Sequence, residues 1–113
     1  MPKGGRYLAI SALALSLALP ATVFGQDAPT VSVQDELFDP AQAEIVAGVT
    51  LTWRHDGEEQ HTITADDGSF DSGIINPGDT FPVTFDASAT YPYYCQIHGA
   101  PGGIGMAGIV LVD

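Results

Sequence analysis

Much that would widen the choice of function is scarce in this sequence. One cysteine in 113 residues leaves no intramolecular disulfide to staple the chain. There are 3 Lys and Arg residues against 14 Asp and Glu, a formal charge of −11, and no basic run. That balance excludes partners that need a positive footprint, nucleic acids and anionic membranes among them. No internal repeat is present, and helical periodicity is nowhere sustained over three turns. The length has room for a single small domain. What remains is 45% hydrophobic and only 15% charged, too apolar for a disordered acidic tail, so a packed core is expected.

The longest apolar run is Leu8 to Leu19, twelve residues of Leu, Ala, Ile and Ser, closed by Pro20. As a helix it spans about 18 Å, short of the roughly 30 Å hydrocarbon core of a bilayer. Lys3 and Arg6 precede it, and the small residues Val23 and Gly25 follow. Residues 1–25 therefore read as a cleaved secretory signal peptide, and 26–113 as an exported domain, periplasmic or at the cell surface. Removal of the signal leaves 88 residues in which Arg54 is the sole strongly basic side chain among 14 acids, a formal −13. This acidity fits either a saline habitat or the steering of cationic partners.

Along the exported part, short β-favouring runs alternate with turn signals. Val31 and Val33 mark a first strand, Phe38 an anchor before the Asp39-Pro40 bend, and 42 to 46 a second strand. Val49, Leu51 and Trp53 alternate with Thr50 and Thr52. Further strands are expected at about 60 to 65, over Phe81 to Phe85 after a short extended piece around Phe70 and the Asn76-Pro77-Gly78-Asp79 turn, and at 90 to 95 and 108 to 112. Pro82 and Pro92 mark edge positions. Seven to eight short strands predict an all-β fold, an antiparallel Greek-key β-sandwich, with Trp53, Phe81 and Phe85 in its core.

The informative stretch is Tyr91-Pro92-Tyr93-Tyr94-Cys95-Gln96-Ile97-His98, then Gly99 to Gly105, then Met106-Ala107-Gly108. It sets a thiol, an imidazole and a thioether on one connection between strands, and His61 stands on a separate predicted strand. Two imidazoles and a thiolate in a plane, with a weak axial thioether, suit copper: the sulfur ligands favour Cu(I), and imidazole tolerates both states. Taken singly, Cys95 reads as an inert core residue, His61 as a satisfied core histidine and Met106 as a gap filler. An unpaired cysteine is, however, a liability in an oxidising compartment. His55, beside Asp56 and two glutamates, reads as a solvated loop residue, with a place behind the ligands or as a competing ligand as alternatives. The Glu58-Glu59 and Asp66-Asp67 pairs read as solvated turns.

Three motifs together resemble the cupredoxins, the small blue-copper proteins, in their plastocyanin, pseudoazurin and halocyanin group. They are Trp53-Arg54-His55-Asp56-Gly57-Glu58-Glu59-Gln60-His61-Thr62-Ile63-Thr64; Phe70-Asp71-Ser72-Gly73 with Asn76-Pro77-Gly78 and the Phe81 to Phe85 strand; and Tyr93-Tyr94-Cys95, His98 and Met106-Ala107-Gly108. The resemblance covers roughly residues 30 to 113. It implies one type 1 copper ion held by His61, Cys95, His98 and Met106. Seven residues, four of them glycine, separate His98 from Met106, so the axial place falls to Met106 or to a backbone oxygen.

The function so implied is a one-electron carrier cycling Cu(II)/Cu(I) between exported or membrane-bound redox partners, with His98 as the electron port. A backbone N–H near Thr62 or Gln96 would donate to the Cys95 sulfur. A monomer is expected, and its acidity would steer it to a basic face such as that of a c-type cytochrome or a membrane complex. The alternative is a transport or storage protein that delivers the copper itself. An enzyme is not expected. Multicopper oxidases and copper nitrite reductases need more than three histidines, a bimetallic thiolate centre needs two bridging cysteines, and a zinc hydrolase needs an open site with a general base.

Overall fold

The computed structural model describes residues 29–113; the signal read at residues 1–25 lies outside them. The strands are β1 (Thr30–Val33), β2 (Phe38–Asp39), β3 (Gln42–Ile45), β4 (Val49–His55), β5 (Thr64–Ala65), β6 (Thr80–Phe85), β7 (Ala89–Ala100) and β8 (Ile104–Val112). They form two four-stranded sheets in the orders β2-β1-β4-β6 and β3-β8-β7-β5. No helix occurs among the described residues.

The period of two in the sequence builds the core directly. Val31 and Val33, Ala43 and Ile45, Leu51 and Trp53, and Met106, Val110 and Val112 all point inward and are buried. Trp53 is fully buried and meets Tyr93 nearly edge-on at 5.2 Å, with Phe70 at 5.8 Å and Phe81 at 6.1 Å. Aromatic pairs of this kind each contribute about 0.5–1.5 kcal/mol beyond their burial. At Asn76-Pro77-Gly78-Asp79 the Asp79 N–H donates to the Asn76 carbonyl at 2.9 Å, and Gly78 has φ +89°. This is the positive φ that a proline-led type II turn requires at its third residue.

The sandwich and its eight strands agree with expectation, with four differences of detail. Each sheet contains one parallel pair, β1 with β4 and β3 with β8, so the pairing is mixed rather than antiparallel throughout. Parallel neighbours need a crossover, and the chain makes it by passing through the opposite sheet. The strand expected at 60 to 65 is reduced to Thr64–Ala65, with His61 joined to Ile75 by an isolated bridge. Pro82 does lie on an edge strand, whereas Pro92 sits in β7, between β8 and β5. Its carbonyl takes the Asp66 N–H at 2.9 Å, beyond the end of β5, so the missing N–H faces a side where the ladder has already stopped.

The last difference shapes the site. The strands expected at 90 to 95 and 108 to 112 run on to Ala100 and back from Ile104, so the glycine-rich segment is a β-hairpin. Within it the register jumps from Tyr94↔Ala107 to Gly99↔Gly105. Four residues, Cys95 to His98, thus bulge out opposite Met106 alone.

Candidate metal centre

Cys95 is the last residue of the inward alternation Tyr91, Tyr93, Cys95 and is fully buried. The bulge then turns the chain so that His98 comes back over it. His61 enters from the other side, held by the Ile75 N–H donating to its carbonyl at 2.8 Å. Three donor atoms converge: His61 Nδ1 and His98 Nδ1 lie 3.7 and 3.8 Å from Cys95 Sγ, and 3.2 Å from each other. Zinc-type bonds of about 2.0 Å to imidazole and about 2.3 Å to thiolate, at trigonal angles, would hold nitrogen and sulfur about 3.7 Å apart. The nitrogen–sulfur spacings therefore fit one ion held by the three donors, and a thiolate with two imidazoles suits copper. Met106, buried in β8, lines the same hollow as His98 and Gly105.

The residues behind the donors fix them. The Thr62 N–H donates to Cys95 Sγ at 3.4 Å, while the Gln96 N–H goes to Thr62 Oγ1 at 2.9 Å. Of the two N–H groups considered for the sulfur, Thr62 supplies the bond and Gln96 braces Thr62. Thr62 Oγ1 lies 3.0 Å from Thr64 Oγ1, whose hydroxyl donates to Asp71 at 3.1 Å. At the hairpin tip the Gly102 N–H donates to Asp66 Oδ2 at 3.0 Å, which gives Asp66 a structural task that a solvated turn would not have.

His55 is buried, not solvated. The Gly57 N–H donates to its Nδ1 at 3.1 Å, which leaves the ring proton on Nε2 to reach the Glu59 carbonyl. Both nitrogens are used, so His55 is no competing ligand; it shapes the turn before His61. Glu59 also departs from expectation, with Oε1 3.2 Å from His98 Nε2. Asp35, which the sequence did not single out, has Oδ1 3.3 Å from His61 Nε2. The N–H groups of Glu59 and Glu58 donate to the same oxygen and hold the Asp35 carboxyl below the usual carboxylate range. Burial pushes the His61 pKa below its ordinary 6.5, which favours a neutral ring with a bare nitrogen for a metal.

Residues 7–104 match the family model described as a cupredoxin-like domain. The chain belongs to the cupredoxins. This cupredoxin is 31% identical over 88 residues to plastocyanin of Scenedesmus fuscus, covering 68% of the present chain and 87% of that protein. It is also 31% identical over 88 residues to chloroplastic plastocyanin of Hordeum vulgare, covering 68% of the chain and spanning 55% of that longer protein. Among solved structures it is similar to a purple cupredoxin from Nitrosopumilus maritimus, with TM-score 0.66 and 27% identity over 75% of this chain and 99% of that one. The cofactor of the cupredoxin is one copper ion, and His61, Cys95 and His98 form its type 1 ligand group. The family match ends at residue 104, before Met106.

Proposed function

We propose that this cupredoxin is a one-electron carrier whose copper would be held by His61, Cys95 and His98, with Met106 as a fourth, weaker ligand. The observation that supports it best is the convergence of two Nδ1 atoms on one buried sulfur at spacings of 3.2 to 3.8 Å. Copper bound there supplies a Cu(II)/Cu(I) couple. The chain's part is to keep the donors still. The bulge is locked between two paired stretches of hairpin, the Thr62 N–H faces the sulfur, and burial of Cys95 and His61 keeps bulk water from the donor plane. Little has to move between oxidation states, which favours rapid transfer.

His98 is the port by which electrons enter and leave. Its side chain is 30% exposed, and Ile97 and Ile104 stand exposed nearby at 47% and 61%. A small apolar rim suits weak, brief docking with a redox partner, and the acidic surface steers toward a basic partner face. Residues 1–25 act as the export signal and 26–113 as the working domain; the mass of the secreted protein tests that boundary. For the function, Cu(II) is added to the domain and visible and electron paramagnetic spectra are recorded. An intense thiolate-to-copper band that Cys95→Ser abolishes is expected, and a colourless protein with ordinary Cu(II) parameters refutes the assignment. Loss of copper on each reduction would mark delivery of the metal instead.

A further inference from the structure

The outer nitrogens of both histidines face carboxylates: His61 Nε2 is hydrogen-bonded to Asp35 at 3.3 Å, and His98 Nε2 lies at ion-pair distance, 3.2 Å, from Glu59. The acids come from different loops, Asp35 between β1 and β2 and Glu59 between β4 and His61, and backbone bonds tie the loops together. Asp35 Oδ1 accepts the N–H groups of Glu58 at 2.8 Å and Glu59 at 3.0 Å. Only glycine fits at 57, because a Cβ there would collide with that same oxygen. His55 fastens the turn from beneath through the Glu59 carbonyl. The three donors to Asp35 Oδ1 use up the oxygen that faces His61, so Asp35, Glu59 and His61 form a brace and not a second cation site.

We propose that Asp35 and Glu59 are positioning residues of the metal centre, which hold both imidazoles Nδ1-inward and keep the reduction potential below the value the same ligands would set alone. The inference rests on the copper reading above. The His61 ring, whose far N–H donates to Asp35, is oriented and made a stronger donor, while Glu59 sets a carboxylate charge beside His98. Negative charge beside the centre favours the oxidised, more positive state. Asp35 is the stronger of the two, since its partner His61 is fully buried and less screened than the partly exposed His98.

The test uses Asp35→Asn and Glu59→Gln, which remove charge but keep an oxygen acceptor, so the loop bonds to position 35 survive. Glu58→Gln is the control, an exposed acid whose side chain contacts neither histidine. Asp35→Asn should shift the Cu(II)/Cu(I) affinity ratio about tenfold, a rise of about 59 mV for one electron, and weaken Zn(II), a redox-inert probe, about tenfold. Glu59→Gln should shift both in the same directions by about threefold. Glu58→Gln should change both by less than about twofold. An equal effect of Glu58→Gln would show that net charge alone acts and would overturn the proposal, as would unmoved or lowered potentials in Asp35→Asn and Glu59→Gln. Should Asp35→Asn fail to fold, Glu59→Gln on its exposed side chain decides. A wild-type protein without the thiolate-copper band sinks the electron-carrier reading itself, whereas a normal wild type with unmoved variants removes only this inference.

Discussion

Replacing Gly99 by alanine puts a methyl group into the closest backbone approach of the hairpin. A Cβ at this position would stand 2.6 Å from the Ile104 carbonyl oxygen, 2.6 Å from that of Met106 and 2.8 Å from the Met106 nitrogen. Ordinary contact begins at 3.4 Å, so the two arms must separate by most of an ångström, and every obstacle is backbone. Overpacking of this kind costs typically about 1–3 kcal/mol, against about 0.5–1 kcal/mol recovered by removing a glycine from a strand. A net loss of about 1–2 kcal/mol lowers the thermal midpoint of a domain this small by about 4–16 °C. Because Gly99 follows His98 and faces the residue before Met106, the same displacement should also alter the copper spectrum. Gly103→Ala is the comparison. Its Cβ would meet nothing within 4 Å, but φ +78° imposes about 1–2 kcal/mol of left-handed strain on a residue with a side chain. Calorimetry of the metal-free domain and visible spectra of the copper form separate the cases: both variants lose stability, and only Gly99→Ala moves the spectrum. A Gly99→Ala domain as stable as wild type and spectrally unchanged would refute the reasoning.

Thr62→Val deprives the Gln96 N–H of its acceptor, a loss of about 1–3 kcal/mol to be read by urea unfolding of the metal-free protein. His55→Ala removes a buried ring with both nitrogens bonded; about 2–4 kcal/mol is expected in the same assay, and an unaffected midpoint would show that the turn before His61 stands without it. Side-chain hydrogen bonds from Arg54 and Ser32 bring the Asp56 pKa down to about 2. A folded pKa below the unfolded 3.8 means that the stabilisation is full above about pH 4 and lost as pH falls through about 2. Carboxyl NMR titration should find that low midpoint and its return toward 3.8 in Arg54→Gln. With Arg54 alone against the acids of the exported domain, the thermal midpoint should rise with salt from about 0.01 M to about 1 M, as the screening length shrinks from about 30 Å to about 3 Å; a midpoint that falls would remove self-repulsion as a factor.

The strands were legible because one face of each is buried, and burial writes a period of two into the sequence: Val31/Val33 and Leu51/Trp53 need no knowledge of their partners. Cys95, His98 and His61 were legible for a different reason, since their chemistry is rare and the spacing between the first two is local. Asp35 and Glu59 left no such trace. An acid in a polar loop looks the same whether it faces water or an imidazole, and what brings these two together is a contact between loops 24 residues apart. The acidic neighbours of His55 point to a solvated loop, although its own position continues the inward alternation of β4 and the ring is buried. The extension of β7 and β8 was hidden by glycine. Four glycines in seven residues resemble an unstructured linker, yet Gly99 is needed where the arms touch, and the positive φ of Gly102, Gly103 and Gly105 closes and twists the hairpin.

Beyond the bulge, the hairpin from Gly99 to Gly105 pairs with itself alone, with Gly102 to Asp66 as the tie recorded between its tip and the rest of the sandwich. Such a projection is free to change length without disturbing the sheets beneath it, provided its two arms stay in register. One residue added to each arm keeps Gly99 opposite Gly105 and leaves His98 and Met106 facing each other. A single insertion within one paired arm turns the side chains beyond it to the other face, whereas one at the tip changes only the turn, so the reach of this arm, and thus what can approach His98, is set by paired additions and by the turn.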